Sequence, residues 1–251
     1  MGICAWCERE AELRRSHVIP RAFTRHLLGD QQGTLLGLEH DQPRGRRLPG
    51  GVYERGLLCD DCEQMLGVYD NAAVTALSQR FDEWLPVHKD GEVIGWSLDA
   101  DPEPIKRFSL SLLARAHWST QRGFDVVDLG AQIGPIKRYC SADIDTRDDR
   151  RYPLLLARFD PSERIPGAEL TIRTPQRFRF GDQGFNAYTT YLSGFHLMQI
   201  TDGRASDEFA ALTHESHNQI IAFRQSFDAD EHIGGLIRLA VSMERARDQI
   251  Q

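Results

Sequence analysis

Four cysteines, arranged as two C-x-x-C pairs, constrain this chain more than any other feature. Cys4 and Cys7 form one pair, Cys59 and Cys62 the other, and 51 residues separate the inner cysteines. Four soft thiolates match the ligand demand of a tetrahedral zinc ion. Closing a loop of that length costs about 3.5 kcal/mol plus a constant. Structural zinc binding supplies roughly 10–16 kcal/mol, so a metal can hold the loop shut. The competing assignment is a pair of disulfides; a reducing compartment and the x-x spacing count against it. Cys140, in Lys137-Arg-Tyr-Cys-Ser-Ala-Asp143, has no such partner and reads as a packed core thiol.

The remaining composition sets bounds. At 251 residues the chain has room for one large or two small domains. It has no apolar run of the ~18–20 residues that span a bilayer. Its first ten residues, MGICAWCERE, are not a basic segment followed by a hydrophobic stretch. A cytoplasmic protein with no membrane partner is expected. Thirty Lys and Arg against thirty-seven Asp and Glu give a net charge of −7. That balance disfavours a surface coated everywhere in nucleic acid but permits a local basic patch. One lies between Leu13 and Leu58, where eight basic residues face four acidic ones, a local charge of +4. All eight are Arg, the side chain suited to bidentate phosphate contact; a solvated loop face is the plain alternative.

Along the chain, residues 1–62 read as knuckle, short strand, loop and knuckle. The Gly-, Pro- and Arg-rich stretch at 29–56 is expected to be an exposed loop. A helix is predicted over 60–85, with Asp60 and Asp61 in its first turn and Leu66, Tyr69, Ala73, Leu77 and Phe81 at helical spacing. Pro86 would end it. Residues 99–104 read as a linker. Helices are predicted over 105–118, with Phe108, Leu112 and Arg115 on one stripe, and over 133–139. After Arg151 the pattern turns to β. Leu154 to Leu156 form a buried run, Leu170 alternates with Ile172 and Phe178 with Phe180, and 188–200 reads as one long strand with Gly194 as a bulge. A final helix is predicted over 232–249.

Between the knuckles sits Leu13-Arg-Arg-Ser-His-Val-Ile-Pro20, and across the second runs Leu57-Leu-Cys-Asp-Asp-Cys-Glu-Gln-Met-Leu-Gly-Val-Tyr-Asp70. On these residues the chain resembles the HNH endonucleases, whose zinc-stapled members place an H-I-I-P-like strand between two such knuckles. It looks most like the branch whose second knuckle enters a Cys-Asn-x-x-x-Gly-x-x-Asp helix. Cys62, Gly67 and Asp70 match that pattern, and Glu63 stands where Asn or His is usual. The resemblance covers about residues 3–72. The expected architecture is α+β. An N-terminal zinc-bound ββα-metal (treble-clef) module over residues 1–98 comes first, and an accessory domain of helices and a β-rich part over 99–251 follows.

The resemblance implies metal-dependent hydrolysis of phosphodiester bonds in DNA, with RNA an open alternative. Structural Zn²⁺ would sit on Cys4, Cys7, Cys59 and Cys62. His17 holds the position of the general base, and an imidazole with a reference pKa of ~6.5 is mostly neutral at pH 7. Glu63 would ligate a catalytic Mg²⁺ or Mn²⁺, for which its hard oxygen is suited. Ser16 occupies the place where the family carries Asp, Glu or His as a second ligand. The middle Asn that orients the base has no counterpart, although Glu54 lies in that stretch; Asp60, Asp61 and Asp70 are alternative ligands. Arg14, Arg15 and Arg21 are the candidates for phosphate contact. By analogy, the setting would be prokaryotic defence or a mobile element, with the acidic C-terminal part docking a regulatory protein subunit.

Plainer roles stand beside each of these. His17 could be a buried, backbone-bonded histidine, Glu63 a solvated helix carboxylate, and the arginines surface residues. The whole module could be a non-catalytic treble clef that binds nucleic acid or a protein. Thr213-His-Glu-Ser-His217 is not a zinc-peptidase motif, because its histidines are three apart and not four.

Overall fold

A computed structural model describes residues 1–28, 35–37, 46–48, 51–142, 151–164, 167, 170–180, 184–202 and 218–229. The helix expected at 232–249 and the motif at 213–217 lie outside the described residues. Strands β1 (Gly2–Ile3) and β2 (Glu10–Ala11) pair antiparallel around the first knuckle. Glu8 sits at φ 61°, which turns the chain back so that the Cys4 amide donates to Arg9 O at 3.0 Å. Strand β3 (Leu13–His17) follows, and helix α1 (Arg21–Leu28) starts directly after Pro20. No helix is expected there from the sequence. Within the stretch expected to be a loop, β4 (Leu35–Gly37) and β5 (Arg46–Leu48) form a two-stranded ribbon. Its other residues before Gly51 lie outside the described ones.

Strand β6 (Tyr53–Cys59) pairs antiparallel with β3 and runs without a loop into α2 (Asp60–Val74). Asp60, Asp61 and Glu63 occupy the first turn of α2, where carboxylates complement the positive end of the helix dipole. The helix is shorter than periodicity suggests. After Val74 the backbone widens into a π-helical turn over Thr75–Gln79, and a 3-10 turn follows over Phe81–Glu83. The Trp84 indole donates to the Ala76 carbonyl at 3.0 Å, which folds the chain back on this widened turn. Pro86 therefore lies inside strand β7 (Leu85–Lys89), at the edge of a sheet, where a missing N–H is tolerated.

Asp90 and Gly91, at φ 52° and 86°, make the two-residue turn from β7 to β8 (Glu92–Asp99). Pro102 and Pro104 then open α3 (Glu103–Trp118), and α4 (Ile133–Ser141) follows. The strands β9 (Leu154–Asp160), β10 (Arg173–Phe180), β11 (Phe185–Leu192), β12 (Phe195–Ile200) and β13 (Gln219–Ser226) complete a seven-stranded sheet ordered β10-β11-β12-β9-β13-β8-β7. Every described pairing in it is antiparallel except β13 with β9. The hairpin β7–β8 thus joins the C-terminal strands through β13, and the sheet runs across residues 98 and 99.

The long strand expected at 188–200 is a hairpin. Ser193 and Gly194 both have positive φ, 52° and 87°, and two such residues in succession match a tight turn to the strand twist. Leu170 and Ile172 precede β10 and are not part of a strand.

Helix α3 is buried along nearly its whole length and touches α2, α4 and β12. Its charges tolerate this because each is paired. Glu103 accepts from Arg107 Nε at 2.8 Å and from the Tyr139 hydroxyl at 3.1 Å, and lies 3.3 Å from Lys106 Nζ. Cys140 packs beneath, fully buried, its thiol pushed up to about 12 by desolvation. One continuous apolar core runs from Cys4 and Trp6 through Leu66 and Phe108 to Tyr188 and Leu197. No helix among the described residues is long and apolar enough to cross a membrane.

Candidate metal centre and the residues beside it

The two knuckles meet where β6 becomes α2. The Sγ atoms of Cys4, Cys7, Cys59 and Cys62 all lie within 4.8 Å of one another, and Cys7 and Cys59 are 3.7 Å apart. Tetrahedral metal–sulfur bonds of ~2.3 Å place neighbouring sulfurs about 3.8 Å apart. All five cysteines are free thiols. The donor set fits a metal ion such as zinc in chemistry and size. The Cys59 amide donates to Cys4 Sγ at 3.3 Å, and Arg9 Nε donates to Cys7 Sγ at 3.5 Å. That guanidinium holds the Cys7 thiol down at about 6, whereas burial pushes the Cys62 thiol up. A dication among the sulfurs reverses the second effect, since a coordinating thiol gives up its proton.

One residue beyond Cys62, the Glu63 side chain turns towards β3. Residues 15, 16 and 17 alternate across the strand, because successive side chains point to opposite faces. Ser16, opposite Glu54 in the register, is fully buried and faces α2. Burial pushes the Glu63 carboxyl above its ordinary range; Ser16 and Arg115 pull it back, while Asp70 and Asp60 push it further up. Ser16 Oγ and Glu63 Oε1 are both buried, and although the hydroxyl lies near enough to lower the Glu63 pKa, no hydrogen bond of good geometry satisfies either atom among the described residues. Two adjacent orphaned oxygens are costly unless something else satisfies them.

His17 closes β3 on the other face. Its ring meets Tyr53 edge-on at 6.1 Å between centroids, and Arg15 lies over the same Tyr53 ring at 3.2 Å. Arg15 is directly opposite Arg55 in the register. Both are exposed, and neither has an acidic partner among the described residues. Like charges face to face across strands repel, and here no acidic side chain among the described residues offsets them. Arg14 is different: it binds Asp60 Oδ1 at 3.0 Å. Arg21 is exposed at the start of α1.

The candidate carboxylates other than Glu63 are already engaged. Asp61 pairs with Arg9 at 3.1 Å, Asp60 with Arg14, and Asp70 takes a two-pronged bond from Arg115 at 2.8 and 2.6 Å. Glu54 does not reach His17. Its Oε2 accepts from Ser119 Oγ, the Thr120 amide and Thr120 Oγ1 at 3.1, 2.8 and 3.1 Å. Among the described residues no second group of three or more His, Cys, Asp or Glu converges as the cysteines do. Tyr53, Arg55 and Arg115 are the neighbours that the sequence left unassigned. The first two follow from the β3–β6 register, and Arg115 from its place on a buried stripe. No family model, curated protein or solved structure matches the chain.

Proposed function

We propose that the N-terminal part of this chain is a zinc-stapled ββα-metal module of the HNH type that hydrolyses phosphodiester bonds in DNA. The observation that carries this reading is the buried Ser16–Glu63 pair with two unsatisfied oxygens, set one residue from His17 and one from a cysteine ligand. A Mg²⁺ or Mn²⁺ ion held by Glu63 and Ser16 would supply charge stabilisation at the scissile phosphate. His17, at the rim where β3 leaves the sheet, takes the proton of the attacking water. Arg15 and Arg55 grip the flanking phosphates, and Arg14, committed to Asp60, contributes less than its position suggests. Residues 99–251 act as the accessory domain, and a regulatory subunit remains its analogical partner.

The test is plasmid cleavage with Mg²⁺ or Mn²⁺, comparing wild type with His17→Ala. Loss of a general base lowers the rate by about 10²–10⁴-fold; equal rates would refute the assignment. A second reading, a treble clef that binds nucleic acid without cutting it, is favoured by the strand alternation that turns His17 away from Ser16. It predicts DNA binding that depends on Arg15 and Arg55, with no cleavage under either metal.

A further inference from the structure

Arg115 belongs to α3, far along the chain from the cysteines, and is 1 % exposed. Nη1 and Nη2 form a fork on Asp70, Nη1 also donates to the His17 carbonyl at 2.9 Å, and Nε donates to Ser111 O at 3.3 Å. Asp70 lies seven residues after Glu63, two turns on along the same helix face. One buried side chain therefore ties the end of β3 to the face of α2 that carries Glu63. The residues just past α3 close on the β3–β6 pair a second time, where Ser119 and Thr120 donate to Glu54. A guanidinium fork fixes both distance and angle; a single ammonium fixes only distance.

We infer that Arg115 is a positioning residue for the hydrolytic site: it sets where the imidazole-bearing end of β3 stands relative to Glu63, so the site is completed by a helix outside the cysteine-stapled segment. The inference rests on the hydrolytic reading above. Arg115 touches no reacting atom; it acts through the backbone of His17 and the carboxylate of Asp70.

The full-length chain is compared with Arg115→Lys, Arg115→Met and the double variant Arg115→Met with Asp70→Asn. The single methionine variant leaves a half-buried carboxylate unpaired, which destabilises; removing both charges together avoids that. Zinc content, DNA affinity, KM, kcat and the His17 ring resonances are measured on each. In the double variant we expect unchanged zinc content and DNA affinity and KM within about two-fold of wild type. Its kcat should fall by about 10–100-fold, the cost of a misplaced group, with displaced His17 resonances. The lysine variant should recover part of both. A folded, zinc-loaded double variant with wild-type kcat, or with a KM change alone, overturns the inference. If wild type cuts nothing, the hydrolytic reading falls by itself. The His17 resonances then decide the tie alone: displaced in the double variant they support it, unmoved they overturn it.

Discussion

Two sets of would-be ligands sit within one turn of α2, and they differ in how many donors remain uncommitted. The sulfur set has four donors of one kind, delivered by two knuckles to a common point. The oxygen set beside it has one carboxyl and one hydroxyl, Glu63 and Ser16. Three further carboxylates lie close by in sequence, but arginines hold Asp60, Asp61 and Asp70. A soft site can be assembled by local spacing alone. A hard site depends on which acids the surrounding cations leave free, and that is decided by tertiary neighbours.

Breaking the sulfur set should have the largest effect. Cys59→Ser, or a strong chelator, is expected to remove much of the roughly 10–16 kcal/mol a structural zinc contributes. The β3–β6 hairpin should lose its amide-exchange protection, and the melting temperature should drop; full protection without metal would show that the core alone holds the knuckles. Glu63→Gln sharpens the other side. Burial raises the folded-state pKa of Glu63, so its contribution is most favourable below the unfolded value of ~4.3 and is lost as pH rises through the folded one. The glutamine variant is expected to be more stable than wild type at pH 7, with the gain fading towards pH 4, and to bind Mn²⁺ less well. Melting curves and Mn²⁺ titration read the two effects; a destabilised variant at pH 7 would mean the carboxylate has a partner that offsets its burial.

The smallest expected effect is at Glu54, which shows what a fully engaged carboxylate does. Burial pushes its pKa up, but donors from Thr120, Ser119 and Arg55 leave it below the usual range. Its stabilisation is therefore present above the unfolded value and lost as pH falls. Glu54→Ala should cost about 1–2 kcal/mol at pH 7, less in acid, and leave zinc content unchanged. Denaturant melts at pH 7 and 3.5 check it.

The tetrad was legible because each pair is a local spacing, and only its closure needed the fold. The start of α2 was legible for a similar reason, since Asp60 and Asp61 announce it. Its end was not. Leu77 and Phe81 keep the helical period, yet the hydrogen bond from Trp84 to Ala76 O belongs to the fold and widens the last turn. Ser193-Gly194 hid a hairpin because apolar residues continue on both sides of it. Arg115 shared a stripe with Phe108 and Leu112, but nothing local indicates that a buried cation there meets Asp70 and the carbonyl of His17. The resemblance led to Ser16 and Glu63, whose meeting is a fact of side-chain direction.

Because Cys59 ends a strand and Asp60 begins a helix, the joint between ribbon and rod has no slack. Between Arg55 and the cysteine cluster, Gly56 at φ 71° and a register shift against β3 put a bulge in the strand. Only the cysteine side of that bulge is coupled stiffly to α2, so a shift there would tilt the Glu63 carboxylate, while the Arg15–Arg55 side is one bend removed from it.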